Sequence, residues 1–255
     1  MTTNPDINIT PTLRDLLIEY ADRYETHDFI NGDPSWFMHQ VNGQENQETM
    51  AFLASCLSYG SRSQFMKKIQ LLLDWSEGDT YYWVRDGGFA EHFSADSTNC
   101  FYRLYTVGHM YGFLRILQQM LTEHTTIGTY IKKNANDGLS ATDAISRFFY
   151  TNDTSVIVPK DIQSACKRIC MFLRWMVRSD SPVDLGLWSD FIDRRTLIIP
   201  LDTHVLHQSQ RLGLISGKTA SMATARRLTN TLAEIFPEDP LRGDFSLFGY
   251  GVNAR

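Results

Sequence analysis

The chain has 255 residues and a formal net charge of −5, and 43% of its residues are hydrophobic. That length suffices to bury a sizeable core, whereas the acidic balance argues against a general polyanion binder without excluding a local basic stripe. No apolar run reaches the length of a membrane span, and the N-terminal stretch does not resemble a signal peptide. We therefore expect a globular, cytoplasmic protein that does not engage a membrane.

Helical periodicity dominates the first half of the chain. Residues 77–98 are expected to be turn-rich and solvated, and 150–160 to form a linker that ends in Pro159. A tight Tyr-Gly-Ser-Arg corner joins the second and third helices into a hairpin. Helices are predicted over 10–24, 46–60, 63–75, 101–124, 126–133 and 140–151.

The second half continues the helical pattern. Residues 161–178 carry one apolar stripe at helical spacing, and a short insert with Pro and Gly follows. Only 197–201 is typical of a strand, and it is too short to found a sheet. Further helices are predicted after Asp202, over 218–236, and after Asp239-Pro240.

The pattern predicts an all-α fold with two helical lobes and a cleft between them. One lobe is expected to span 46–160, and the other to combine 1–45 with 161–255. The four cysteines lack the spacing of a zinc or iron–sulfur site. Cys166 and Cys170 lie one helical turn apart in an apolar stripe, as buried free thiols do. We therefore expect no disulfide, no metal and no cofactor.

The stretch "PLDTH" places Asp202 at the start of a helix. The carboxylate of Asp202 is a good N-cap, because it can accept hydrogen bonds from the first-turn backbone N–H groups. His204 and His207 follow three residues apart on one helical face. This pattern is either a plain helix cap with two structural histidines or part of a site.

A basic flank accompanies the apolar stripe of 161–178. It is formed by Lys167, Arg168, Arg174 and Arg178, with Met171 between them. The flank is either a solvated cationic face on a core helix or a basic ridge that contacts nucleic-acid phosphates while one lysine does chemistry.

Four collinear segments between residues 48 and 252 resemble the helix-hairpin-helix DNA glycosylase superfamily, which includes endonuclease III and the 8-oxoguanine DNA glycosylases. The most specific is "IIPLDTHVLHQSQRLGL", which is similar to the segment with the catalytic aspartate. The others are "ACKRICMFLRWMV", "ETMAFLASCLSYGSRSQFMKKI" and "DFSLFGYGV". The whole chain also resembles a bacterial family known only as a domain of unknown function, which would be a distant branch of this superfamily.

The resemblance implies an enzyme that excises an oxidised purine such as 8-oxoguanine from double-stranded DNA, with or without AP lyase activity. Lys167 would be the Schiff-base nucleophile, since attack at C1′ needs a neutral amine, and Asp202 the catalytic carboxylate. We expect a monomer without a metal. The implied DNA-binding residues are His204, Arg168, Arg174, Arg178, Tyr59 and Arg62, of which the last two would fill the space left by a flipped base. The implied base-recognition residues are Asp244, Phe248 and Met171.

The chain departs from the superfamily pattern in two places. The hairpin before the lysine, which is Gly-rich in the superfamily, is here "VPKDIQSACK" without a glycine. The insert "SDSPVDLGLWSDFIDRR" also lengthens the distance between Lys167 and Asp202, a gap that resembles the archaeal 8-oxoguanine glycosylases more than endonuclease III. These departures leave two alternatives open, a non-catalytic DNA-binding protein that kept the fold and a metal-dependent hydrolase that uses His204 and His207.

Overall fold

The computed structural model describes residues 9–152 and 156–253. These residues are mostly helical, and the all-α prediction is confirmed. No helix within them is long and apolar enough to cross a membrane. The helices are α1 (Pro11–Tyr24), α2 (Gln44–Leu57), α3 (Arg62–Trp75), α4 (Thr80–Arg85), α5 (Val107–His124), α6 (Ile127–Asn134), α7 (Gly138–Asn152), α8 (Lys167–Val177), α9 (Thr203–Arg211), α10 (Met222–Ala233) and α11 (Arg242–Asn253), and two short strands are β1 (Cys100–Tyr102) and β2 (Tyr105–Thr106).

The chain divides into two compact units. The terminal unit contains the described residues of 1–31, 137–142 and 162–255, and the central unit those of 32–136 and 143–161. The sequence pattern assigns residues 32–45 to the terminal lobe, and the structure corrects this assignment. They belong to the central unit because the 3₁₀ turn Pro34–His39 packs against α2.

The central unit is built around α2, whose residues from Glu48 to Leu57 are all buried. Phe52 on this helix lies 5.9 Å from Phe113 of α5 and 5.5 Å from Phe149 of α7, centroid to centroid. The predicted corner between α2 and α3 is present, with Gly60 at its left-handed position (φ 85°). A glycine adopts this conformation without the penalty that a Cβ imposes.

Two expectations for the central unit were wrong. Residues 77–98 are not a solvated loop, because they contain α4 and bury Tyr81, Val84, Phe89 and Phe93. The helix predicted over 101–124 begins only at Val107, since the preceding residues pair as the antiparallel β1–β2 hairpin. Thr106 then starts α5 with a capping box, in which its side chain accepts from the backbone N–H of His109.

The terminal unit joins the two ends of the described chain. Helix α1 packs against α11, and the Ser246 hydroxyl of α11 donates a 2.6 Å hydrogen bond to the Leu17 carbonyl of α1. The predicted helix over 161–178 is shorter than expected and begins at Lys167, after Cys166 in a left-handed conformation (φ 46°). A left-handed residue interrupts a right-handed helix, so 161–166 form turns instead.

The strand expected at 197–201 does not form. These residues have no regular secondary structure, and neither described strand pairs with them. The buried N–H of Ile199 instead donates a 3.0 Å hydrogen bond to the Thr229 hydroxyl of α10. The Thr229 hydroxyl thus satisfies this buried backbone donor without a sheet. The chain then enters α9 at its N-cap, Asp202.

A buried carboxylate ties α2 to α6 within the central unit. Glu48 Oε1 accepts from the Ile127 N–H at 2.6 Å, and its Oε2 from the Gly128 N–H at 3.1 Å. Its side chain therefore satisfies two donors of the first turn of α6, where the helix dipole also favours a negative charge.

Glu48→Ala should lower the free energy of unfolding by about 2–4 kcal/mol, because it leaves two buried donors without an acceptor. Glu48→Gln keeps one acceptor oxygen and should lose roughly half as much. The exposed Glu45→Ala, on the same helix, should stay within about 0.5 kcal/mol. Urea denaturation of the three variants provides the comparison, and equal values for Glu48→Ala and Glu45→Ala would contradict the capping role.

Candidate functional site

The terminal unit brings Lys167 and Asp202 into direct contact. Lys167 is the first residue of α8, and Asp202 is the N-cap of α9. Their Nζ and Oδ2 atoms lie 3.2 Å apart, with side chains 35% and 32% exposed. The two residues are 35 positions apart in sequence, so the fold and not a local turn creates this pair.

Asp202 uses its two carboxylate oxygens for different partners. Oδ1 accepts a 2.9 Å hydrogen bond from the Val205 N–H, as an N-cap does, while Oδ2 faces Lys167. The capping bond fixes the orientation of the carboxylate, and a pair held in one geometry loses little freedom when it reacts. The predicted N-cap is therefore confirmed, and it aims the second oxygen at the lysine.

His204 and His207 are both exposed on α9. No group of three His, Cys, Asp or Glu side chains that could hold a metal ion occurs in the parts of the chain that the structure describes. A catalytic zinc site usually takes three protein ligands, and among the described residues His204 and His207 have no third such side chain beside them. His204 is the second residue of α9 and is accessible to solvent.

Asp244 belongs to the same electrostatic neighbourhood. It lies in the first turn of α11, and its Oδ2 accepts a hydrogen bond from Arg174 Nη1. Burial raises the pKa of the Asp244 carboxyl, and Arg174 works in the opposite direction. The charges of Asp202 and Lys167 also act on the Asp244 carboxyl, so Asp244 responds to the state of the Lys167–Asp202 pair.

The expected basic ridge does not form. Arg174 and Arg178 are only 4% and 1% exposed, because both guanidinium groups turn inward to buried carboxylates. Asp184 pairs with both of them, at 3.2 Å from Arg174 Nε. DNA phosphates cannot reach guanidinium groups in this position, so the assignment of these two arginines as phosphate ligands was wrong.

Arg178 is the centre of the buried network. Besides Asp184, it contacts Glu25 of α1 at 2.5 Å and Asp239 at 2.7 Å. Burial alone would raise the pKa of Glu25, but Arg178 and Arg242 outweigh burial and lower it below its ordinary value. Fully compensated charges of this kind can remain buried, whereas single ones cannot. The network fixes α8, and with it Lys167, against both ends of the described chain.

The insert 179–195 explains why the ridge is buried. It supplies Asp184 to the arginines, and its Trp188 packs edge-on against Phe172 of α8 at 5.2 Å between centroids. The sequence pattern indicated only that this segment lengthens the distance between Lys167 and Asp202, and the role of Asp184 was not predicted. The signal in the sequence for this pairing is Asp184, a carboxylate inside the Pro/Gly-bearing insert that directly follows the two helix arginines.

The remaining residues predicted in the terminal unit have different environments. Phe248 is 38% exposed and packs edge-on against Phe29 at 5.0 Å, so part of its ring stays accessible. It lies one turn beyond Asp244 on α11, where both can face one ligand. Met171 of α8 is buried, with 9% exposure, whereas Arg168, the residue after Lys167, is partly exposed.

Tyr59 and Arg62 lie in the central unit, at the corner between α2 and α3. Tyr59 is 40% exposed, and the guanidinium carbon of Arg103 lies 5.1 Å from its ring centroid. Arg62 is exposed and forms a 3.2 Å ion pair with Asp33. The corner is therefore accessible, but both side chains already have partners within this unit.

The glycine-free segment before Lys167 also has a defined conformation. Ser164 forms an isolated antiparallel bridge with Ser221, and the Gln163 carbonyl accepts a 3.4 Å hydrogen bond from the Met222 N–H. This segment is therefore fastened to the start of α10. Its Gln163 carbonyl therefore has a partner within the protein, although residues 163 and 164 are exposed.

A family model described as "Protein of unknown function (DUF2400)" matches residues 33–253. The chain belongs to this family. The matched region includes the Lys167–Asp202 pair, Asp244 and the insert with Asp184. No curated protein and no solved structure matches the chain. The family description names no activity, so the functional argument depends on the geometry of the site.

Arg178→Met should lower the free energy of unfolding by about 3–5 kcal/mol, because it leaves three carboxylates without their buried partner. The matched control is Arg195→Met, since Arg195 pairs with Asp193 while 57% exposed, and it should change stability by at most about 1 kcal/mol. Denaturant unfolding measures both. A stable Arg178→Met protein would contradict the structural role of the network.

Proposed function

We propose that this protein is a DNA glycosylase that removes an oxidised purine such as 8-oxoguanine, with Lys167 as nucleophile and Asp202 as its proton acceptor. The observation that supports this most is the 3.2 Å contact between Lys167 Nζ and Asp202 Oδ2, two residues that the resemblance names independently. The partner is double-stranded DNA with a damaged base, and the protein acts as a cytoplasmic monomer without a metal or another cofactor.

The pair suits attack on C1′ of a deoxynucleotide. The lysine must lose a proton before its nitrogen can form the C1′–N bond, and Asp202 Oδ2 is within reach to accept that proton. Both side chains are about one third exposed in the free protein. Bound DNA would exclude water and disfavour the charged pair relative to the neutral one, which favours the nucleophilic form of the lysine.

The reaction then proceeds by substitution at the sugar. The C1′–N9 bond breaks as the lysine nitrogen bonds to C1′, and the base leaves with the bonding electrons and takes up a proton. One of the two protons now on the nitrogen moves to the ring oxygen O4′ as the C1′–O4′ bond breaks, and this ring opening gives a protonated Schiff base between Lys167 and the deoxyribose. This intermediate permits strand cleavage by β-elimination, the AP lyase step.

Asp244 and Phe248 provide the base-recognition part of the proposal. Phe248 presents part of its ring one helical turn from Asp244 on α11, and an aromatic face can stack on an extruded base. Arg174 already binds Asp244 Oδ2, so we assign Oδ1 to the N–H donors of a guanine-like base. Met171 is too deeply buried in the core for direct contact, and we no longer assign it to the base.

The phosphate contacts must come from groups other than Arg174 and Arg178. Arg168 lies next to Lys167, and His204 is exposed near the N-terminus of α9. A helix N-terminus favours phosphate because of its unpaired N–H groups and its dipole. We therefore keep Arg168 and His204 as the phosphate ligands around the flipped nucleotide.

The alternative of a non-catalytic DNA-binding protein is favoured by one observation. Lys167 and Asp202 form an ion pair in the free protein, and a lysine that keeps its proton would serve as a phosphate ligand or a structural partner. The first two experiments below separate the alternatives, because only a nucleophile forms a reducible covalent adduct.

Borohydride should trap a covalent complex between the protein and a duplex that carries 8-oxoguanine, since an imine is reducible. Lys167→Gln should abolish trapping while far-ultraviolet circular dichroism and DNA binding persist. Lys160→Gln is the matched control, because Lys160 is exposed and precedes the same helix, and it should trap as the parent does. An adduct that peptide mapping assigns to another lysine would contradict the role of Lys167.

Asp202→Asn retains a capping oxygen and should lose at most about 1 kcal/mol of stability. Excision should nevertheless fall by about 10²–10⁴-fold, because the amide cannot accept the lysine proton. Single-turnover excision and a denaturation curve measure the two effects separately. Excision at the parental rate would reduce Asp202 to a helix cap.

Asp244→Asn should reduce the preference for 8-oxoguanine over uracil and alkylated adenine more than it reduces general duplex affinity, because the amide replaces an acceptor oxygen by a donor. The test compares excision from duplexes that carry 8-oxoguanine, uracil or an alkylated adenine. Efficient release of uracil with 8-oxoguanine untouched would show that the assigned substrate class is wrong.

A further inference from the structure

The terminal unit contains a cavity that the proposed chemistry does not use. Its volume is about 580 Å³, within the range of roughly 300–1,000 Å³ that is usual for small-molecule sites. Arg178, the C-cap of α8, lines the cavity, whereas Lys167 is the first residue of the same helix. The 11 residues of α8, at about 1.5 Å per residue, place Arg178 roughly 16 Å along the helix axis from Lys167. The cavity is therefore separate from the Lys167–Asp202 pair.

Part of the cavity lining is apolar. The segment between α10 and α11 supplies Ile235 and Phe236, which are buried, together with Pro237. Ile18 of α1 and Pro182 of the insert complete the apolar lining. A hydrocarbon chain that packs against such a surface is removed from water, which is favourable. The lining therefore favours a ligand with an aliphatic part.

The rest of the lining is mostly charged, with more carboxylates than guanidinium groups. The carboxylates belong to Glu25, Asp180, Glu238 and Asp239, and the guanidinium groups to Arg178, Arg194 and Arg242. Arg178 is held by the buried network. Arg242 donates from Nε to Glu25 Oε2 at 3.0 Å and from Nη2 to Asp22 Oδ1 at 2.6 Å. An anionic ligand would therefore meet engaged donors and surplus carboxylates.

Arg194 joins the two sides of the cavity mouth, which we define by the carboxylates of Asp180 and Glu238. Its Nε donates to the Glu238 carbonyl at 3.1 Å, and its Nη1 to the Ser179 carbonyl at 3.3 Å. The Asp180 and Glu238 side chains are 88% and 77% exposed. Their ion pairs are long, at 3.8 Å to Arg194 and 4.0 Å to Arg195. Exposed pairs contribute little, so both carboxylates can accept hydrogen bonds from a ligand.

We propose that this cavity binds a polyamine, a linear aliphatic cation with two or more ammonium groups. The ammonium groups donate to the carboxylates of Asp180 and Glu238, and the carbon chain covers the apolar lining beside Phe236. A metal ion would leave that lining unused, and a phosphate would face carboxylates of its own charge. The proposal is independent of the glycosylase assignment, because no residue of the cavity takes part in the proposed reaction.

A bound polyamine would connect three parts of the terminal unit. Ile18 belongs to α1, Asp180 to the insert and Glu238 to the segment before α11. The same three parts supply the carboxylates that surround Arg178. A ligand that binds the folded state and not the unfolded chain stabilises the folded state. We therefore expect polyamine binding to raise the melting temperature of the protein.

Isothermal titration calorimetry of the full chain with spermidine tests the proposal. The parent should bind saturably at a single site, and its melting temperature should rise with spermidine concentration. Asp180→Asn and Glu238→Gln should each weaken binding by about threefold to tenfold, because each removes one charged acceptor. The matched control is Glu91→Gln, which removes the same charge from an exposed residue of the central unit and should bind as the parent does.

The outcomes separate a site from the general attraction of cations to an acidic chain. Equal weakening by Glu91→Gln and Glu238→Gln, or displacement of spermidine by magnesium at equal ionic strength, would show charge screening only and overturn the proposal. Binding of inorganic phosphate without binding of spermidine would also overturn it. Tighter binding of a lysine-rich peptide, lost in Asp180→Asn, would replace the polyamine by a protein partner. Borohydride trapping through Lys167 bears on none of these results, so the two proposals can fail separately.

Discussion

The buried arginine network of the terminal unit is the constraint on which the geometry of the site depends. Arg178 binds carboxylates from α1, from the insert and from the segment before α11, and Arg174 links the insert to Asp244. The guanidinium carbons of both arginines also lie over the Phe245 ring, at 4.8 and 5.4 Å from its centroid. Removing one partner from such a network leaves uncompensated buried charge. The network therefore fixes α8 in one position, and Lys167, in the first turn of this helix, is held in place with it.

Asp244 lies in the same electrostatic framework as the Lys167–Asp202 pair. Arg174 contacts Asp244, and Asp244 senses the charges of Lys167 and Asp202. In the proposed reaction, proton transfer from Lys167 to Asp202 would change two of the charges that act on the Asp244 carboxyl. In the proposed function, recognition of the base at Asp244 and activation of Lys167 would therefore influence one another.

Sequence periodicity predicted most of the helices, since apolar spacing and caps are local properties. Asp202 as N-cap of α9 is such a case, because its carboxylate and the Val205 N–H are three residues apart. The burial of Arg178 could not be predicted, because its partners Glu25 and Asp239 come from segments far away in the sequence, and only Asp184 is close to it. The β1–β2 hairpin was missed for a related reason, since its aromatic residues have a spacing that suits a helix until Thr106 ends the pairing.

The terminal unit contains segments from before and after the central unit, and this affects the order in which the two units can fold during synthesis. Domains fold during translation as their segments emerge. The central unit is complete at residue 161, whereas α1 must wait for α11 and Glu25 must wait for Arg178 and Arg242. The nascent chain therefore carries α1 as an amphipathic helix without its partner until α11 has been synthesised. Premature termination before α11 would yield a folded central unit attached to an exposed helix, a species that chaperones and proteases recognise.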